Sequence, residues 1–240
     1  MSKKMVGSEA LWTAPEFAGQ LAEIFDQTKV GALNGMHFQS LIEHRNPFAA
    51  PAVPLDINDL VERWRSHYKS LYRLNVDFSL LEIPKKCEGF DRLLAMPRGL
   101  TLSKIAERLR TVHGLYLYNE DLDNFVKENE RDPKNGSYAI WIRDRKEADK
   151  ELKNLSFPMV AERKLKTLTL LERLVAGSQY LFETCTHMDE VNVTLCTGSR
   201  DADGRVPHVR WSLGCEGVSV SGSSPSDRSS NLRIREAVTL

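Results

Sequence analysis

The chain is poor in the features that announce a function. Its 240 residues include four cysteines, Cys87, Cys185, Cys196 and Cys215, and no CxxC pair, so neither a dense secreted disulfide framework nor a tight zinc knuckle is written in it. No stretch approaches the roughly 18 apolar residues of a membrane span. The opening MSKKMVGSEALW carries two lysines with no apolar segment behind them, which gives no expectation of a secretory signal. Charge of one sign is missing as well. Lys plus Arg and Asp plus Glu number 33 each, so no whole-molecule field recruits a polyanion. Neither GxSxG, nor HExxH, nor a glycine-rich phosphate loop occurs. The expectation is a cytoplasmic, reduced protein with no membrane contact, no metal and no cofactor.

What is present is a chain long enough to bury a core, 41% hydrophobic and 28% charged. Thr13-Ala14-Pro15-Glu16 starts a helix, because proline is tolerated in the first turn and Thr13 can cap it. A second short helix is expected over residues 36–44. Three prolines within Asn46–Pro54 resist both helix and central strand and mark a linker. Asp56 caps a third helix with an apolar stripe through Leu60, Trp64, Tyr68 and Leu71. Strands are expected at 90–96, 114–118 and 137–143, and helices at 101–113, 120–128 and 144–155. A long helix is expected over 160–186. The last fifty residues read as an antiparallel meander of strands at 191–197, 208–213, 218–220 and 232–238. The fold class is α+β: a small sheet with helices packed on it, a C-terminal antiparallel meander and a helical N-terminal extension. Residues 1–50 form the extension and 56–240 the body, with a candidate division at 156–158.

Candidate sites are few. Ser199, Asp201 and Asp203 alternate before Gly204 as in a calcium loop, but the twelfth position is Arg210 where a bidentate glutamate should stand. A hairpin turn is the plainer reading, since Asp-Gly supplies the positive φ of a tight connection. The Cys185–His187 pair, with Cys196, His208 and Cys215, has thiolate and imidazole ligands but not the paired spacing of structural zinc. The same residues leave open a cysteine nucleophile with His187 or His208 as base, since such partners meet in space. Leu102–Leu109 looks like the first helix of a helix-turn-helix unit, yet a strand-like segment follows where a recognition helix should be. Arg143-Asp144-Arg145, just past a strand, is the best anion-binding cluster, because strand ends followed by helix N-termini collect anions. The alternative is an exposed ion-pair network. The residues singled out for anion or ligand binding are therefore Arg143, Asp144, Arg145, Asp201, Asp203 and His208.

The segments Gly89–Leu94, Gly136–Arg145, Glu147–Asp149, Glu151–Ser156, Thr169–Leu174 and Thr194–Asp201 together resemble a group of uncharacterised bacterial proteins known mainly from environmental genomes. The resemblance spans about Pro84 to Leu240. It implies a bacterial origin and a shared fold, and it implies no activity. The leading functional expectation is a binding or interaction protein, with a protein partner conceivable. A hydrolase-like enzyme assembled from distant residues is the alternative, and a nucleic-acid-binding module the third reading.

Overall fold

The computed structural model describes residues 56–113, 115–117, 122–214 and 216–240, all within the unit Ala50–Leu240. The two helices expected before residue 45 and the proline-rich linker lie outside the described residues. The described part is α+β, as the patterning implies.

Helix α1 (Ile57–Tyr72) begins where Asp56 accepts the Asn58 backbone N–H at 3.2 Å. It ends as Arg73 turns left-handed at φ 54°. Trp64, Tyr68 and Leu71 of its apolar stripe are buried and Leu60 is half-buried, and the two aromatic rings carry polar tips that need partners. Trp64 Nε1 donates to the Leu93 carbonyl at 2.8 Å and Tyr68 Oη to the Ala95 carbonyl at 3.0 Å. Both acceptors belong to β1 (Arg92–Met96), the edge of an antiparallel sheet ordered β1-β4-β11, with β4 Tyr138–Ile142 and β11 Ala237–Val238. An otherwise open strand edge is thereby covered by side-chain donors.

A turn through Gly99, at φ +75°, leads into α2 (Leu102–His113). β2 (Leu115–Leu117) follows instead of a recognition helix. The helix expected at 120–128 is only α3 (Leu122–Phe125); the chain then extends as β3 (Val126–Asn129) to pair with β7 (Ser199–Asp201).

Two helical expectations fail, both by tertiary override of local patterning. Residues 144–155 contain β5 (Asp149–Lys153), which pairs with β10 (Leu232–Ile234). Its buried Asp149 accepts the Glu236 backbone N–H at 2.9 Å. The long helix at 160–186 is broken into α4 (Phe157–Glu162) and α5 (Leu170–Thr184). Between them Lys164 sits at φ 54° and Thr167 bridges to Glu236 in extended conformation.

β6 (Val193–Leu195), β8 (Val206–Ser212) and β9 (Gly217–Ser223) form the expected antiparallel run. The final strand does not continue the meander. It splits, β10 joining β6 in parallel and β11 leaving for the first sheet. The larger sheet is ordered β2-β9-β8-β6-β10-β5. Val209 and Val220 on one face share the main core with α2 and α5, and Leu195, Val206 and Ile234 on the other share a smaller core with Val160 of α4.

Candidate functional site

The cluster after β4 is fully engaged with carboxylates. Arg143 Nη1 lies 2.7 Å from Asp149 Oδ2 and Nη2 2.8 Å from Glu236 Oε2, while its guanidinium covers the Phe90 ring at 4.2 Å. Arg145 pairs with Glu151 at 2.7 Å and approaches Asp149 at 3.8 Å. Asp144 accepts from Arg92 Nε at 2.8 Å. Glu147, close by in sequence, accepts the backbone N–H groups of Val191 and Asn192. The structure therefore brings Arg143 and Arg145 together around Asp149, and each already holds an anion.

The Ser199–Arg205 segment combines strand β7 with a turn. Asp201 is buried: its Oδ1 accepts the N–H groups of Asp203 and Arg205 at 3.0 and 2.7 Å, and its Oδ2 accepts Arg205 Nε at 2.8 Å. With both carboxylate oxygens engaged by donors within its own turn, it is an Asx-type turn anchor. Asp203 is exposed and 3.1 Å from Arg205 Nη2. Gly204, at φ +76°, supplies the left-handed step.

His208 lies apart from these, on the face of β8 that carries Val206. Its Nδ1 is 2.9 Å from Ser223 Oγ. Burial, reinforced by Arg210, lowers its pKa below the usual imidazole value and keeps the ring neutral at pH 7. A neutral imidazole on a serine hydroxyl is half of an acyl-transfer constellation, but both cavities detailed below lie elsewhere. The cysteine readings fare worse. Burial raises the Cys196 thiol well above its ordinary pKa, and partial burial raises Cys185 too. Both are therefore protonated at neutral pH and poor nucleophiles. Among the described residues no three His, Cys, Asp or Glu side chains group to hold a metal ion.

Among the cavities that border the main core are a small one between α2, α5 and β9 and a larger one. The larger is an open groove of about 240 Å³ between the segment after α1 and the β1–α2 turn. Leu74, Val76, Pro97 and Leu100 form its apolar walls, and Arg98, Lys104 and Asp77 its charged rim. Arg98 and Lys104 are exposed, and among the described residues no carboxylate pairs with either side chain. Asp77 is committed to its own turn, accepting the Ser79 N–H at 2.9 Å, and that bond holds its carboxyl below the usual range. The backbone amides are also spoken for. Arg98 N donates to Ser137 Oγ, Gly99 N to the Pro133 carbonyl and Lys104 N to Thr101 Oγ1. Recognition in the groove therefore falls to side chains. The sequence carried a weak signal for it, a strand followed by Pro97-Arg98-Gly99 and a capped helix.

Comparison with protein-family models, curated proteins and solved structures finds no match to this chain. No helix among the described residues is long and apolar enough to cross a membrane.

Proposed function

We propose that this protein is a non-catalytic binding protein of the bacterial cytoplasm, whose groove receives a small ligand with an anionic end and an apolar body. One observation supports the reading: Arg98 and Lys104, which pair with no carboxylate among the described residues, stand at the rim of an apolar groove, whereas the arginines at the end of β4 are neutralised by carboxylates. A concave, largely apolar site with a few convergent polar groups is the usual form of a small-molecule site. At about 240 Å³ the groove has room for a short-chain carboxylate or phosphate monoester.

The N-terminus of α2 adds positive potential beside Lys104, although the Asp123 carboxylate already accepts the Ser103 N–H there. The resemblance to bacterial proteins supports the proposed origin and adds nothing on ligand.

Calorimetric titration with hexanoate, hexylamine and inorganic phosphate tests the proposal. Hexanoate is expected to bind with Kd of about 1 mM, about −4 kcal/mol. Hexylamine should not bind, and phosphate should bind more weakly for want of an apolar body. The double variant Arg98→Ala, Lys104→Ala should weaken hexanoate at least about tenfold, since each charge-assisted contact contributes about 1 kcal/mol or more. Equal binding by the double variant overturns the assignment.

A further inference from the structure

The turn that leads into β4 carries an Asn-Gly step at the surface. Asp132 caps a single 3₁₀ turn, Pro133–Asn135, its carboxylate accepting the Lys134 N–H at 2.9 Å. Asn135 is the last residue of that turn and is exposed. Its backbone N–H donates to the Asp132 carbonyl at 3.0 Å, but among the described residues no hydrogen bond reaches its side-chain amide. Gly136 follows at φ 150°, a backbone that side-chain-bearing residues rarely adopt, and a Cβ built on it would meet nothing within 4 Å. Open space therefore lies where a side chain would shield the Gly136 nitrogen. That nitrogen is restrained by one hydrogen bond, to the Pro133 carbonyl at 3.2 Å, and the same carbonyl accepts the Gly99 N–H at 3.0 Å. Hydrogen bonds in 3₁₀ turns are poorly aligned, so Gly136 is the weaker of two donors on one acceptor.

The same turn holds the connection between β1 and α2. Gly99 N–H ends on the Pro133 carbonyl, and Arg98 N–H donates to Ser137 Oγ at 3.0 Å. Asn135 and Gly136 lie between these two acceptors along the chain. The main-chain length from Pro133 to Ser137 thus sets where the turn after β1 sits, beside the pairing of Met96 with Tyr138.

We propose that Asn135–Gly136 is a site of spontaneous deamidation whose isoaspartyl product loosens the β1–α2 turn. The Gly136 nitrogen gives up its proton to solvent base and attacks Asn135 Cγ. The new N–Cγ bond closes a succinimide ring, and the side-chain nitrogen leaves as ammonia. Water then opens the ring at either carbonyl. Breaking the N–Cγ bond gives aspartate, whereas breaking the bond to the Asn135 main-chain carbonyl gives isoaspartate. Isoaspartate routes the main chain through Cβ and Cγ, which inserts an extra carbon between Pro133 and Ser137. Asparagine is the thermolabile residue here, and glycine is the follower that hinders the attack least. The site stands apart from any ligand of the groove.

The test ages the full chain in mildly alkaline buffer. It is made as Asn34→Gln, because Asn34–Gly35 is a second Asn-Gly step in the sequence. Fresh and aged protein are digested alike with trypsin. The peptide Asn135–Arg143 should gain, on ageing, the mass of an amide turned to an acid and should split into two chromatographic forms. Asn75 and Asn154 are also exposed but precede Val76 and Leu155, and they should stay intact. The aged chain should melt about 2–4 °C lower, and Asn135→Gln aged beside it should not change. Fresh Asn135→Asp, which adds the charge without lengthening the main chain, should melt within about 1 °C of the fresh chain. A peptide that keeps its mass, or changes no faster than those of Asn75 and Asn154, overturns the site. A modified chain that melts with the fresh one, or an Asn135→Asp variant that already melts as low as the aged chain, overturns the effect on the turn.

Discussion

At the scale of single residues, the charged side chains divide by how much water their partners see. Arg143 and Arg145 are two positions apart, yet Arg143 neutralises the buried Asp149 whereas Arg145 meets the half-exposed Glu151. Removing one partner of a buried pair leaves a charge without compensation, while an exposed pair contributes little. Arg143→Ala is therefore expected to destabilise by about 2–3 kcal/mol and Arg145→Ala by no more than about 1 kcal/mol, read by urea denaturation. Sulfate should leave both melts unchanged. A mild Arg143→Ala with a sulfate-dependent wild type would restore the anion-binding reading of that cluster.

Acid sensitivity is likewise set by single residues. Burial, with Arg173 and Lys146 nearby, lowers the His187 pKa to about 4 despite the opposing Glu190. In the unfolded chain the ring titrates near 6.5. Between these values the unfolded state binds the proton and the folded state does not, so stability falls as pH drops from about 6.5 to about 4. Glu151, held near pKa 2 chiefly by Arg145, adds a second loss from about 4.5 downward. Replacing His187 with Gln should flatten the slope of stability between pH 6.5 and 4 and leave the lower limb intact. An unchanged slope would show that other groups carry it.

At the scale of elements, starts and stops are decided by local hydrogen bonding. α5 begins with a capping box: Thr169 Oγ1 accepts the Glu172 N–H at 3.2 Å, and Glu172 Oε2 accepts the Thr169 N–H at 2.7 Å. That signature stands in the sequence as Thr169-Leu170-Leu171-Glu172 and marks a helix start within the stretch expected to be one long helix. Thr169→Ala should lower stability by about 1 kcal/mol and Tm by about 2–4 °C in a thermal melt. A loss much greater than that would mean the buried Glu172 fails with its cap, since the same carboxylate also holds Arg131 and Tyr138.

At the scale of the whole molecule, the two larger sheets are joined by the chain between β10 and β11. Arg235 sits in that junction, 1% exposed, and bonds Asp189, Thr194 and the carbonyls of Arg145 and Lys146. Arg235→Ala removes four hydrogen bonds, two of them to the buried Asp189 and Thr194, which have no water to turn to. It is expected to cost about 3–5 kcal/mol, read by guanidinium unfolding with fluorescence and circular dichroism falling together. A loss under about 1 kcal/mol would show the junction to be wet and loosely held.

The sequence by itself determined the α+β class, helix α1 with its Asp56 cap, helix α2, strands β1 and β4, the β8–β9 hairpin and the Asp201–Gly204 turn. Each is set by periodicity, capping or turn chemistry within a few residues of itself. Among the site residues, it located the charges at 143–145 and 201–203 and the imidazole at 208, but not what they face. Tertiary structure alone decided that 149–153 is a strand, that β10 runs parallel beside β6 and that β11 belongs to the other sheet. It also decided that Arg143 meets Glu236 and that Arg173 and Arg235 share Asp189, partners 16 to 93 positions apart. Arg98 and Lys104 become a pair of groove cations only when the chain after α1 folds against their turn. Burial and pairing depend on distances through space, and a hydrophobic or charged pattern along the chain fixes only which face of an element a residue occupies.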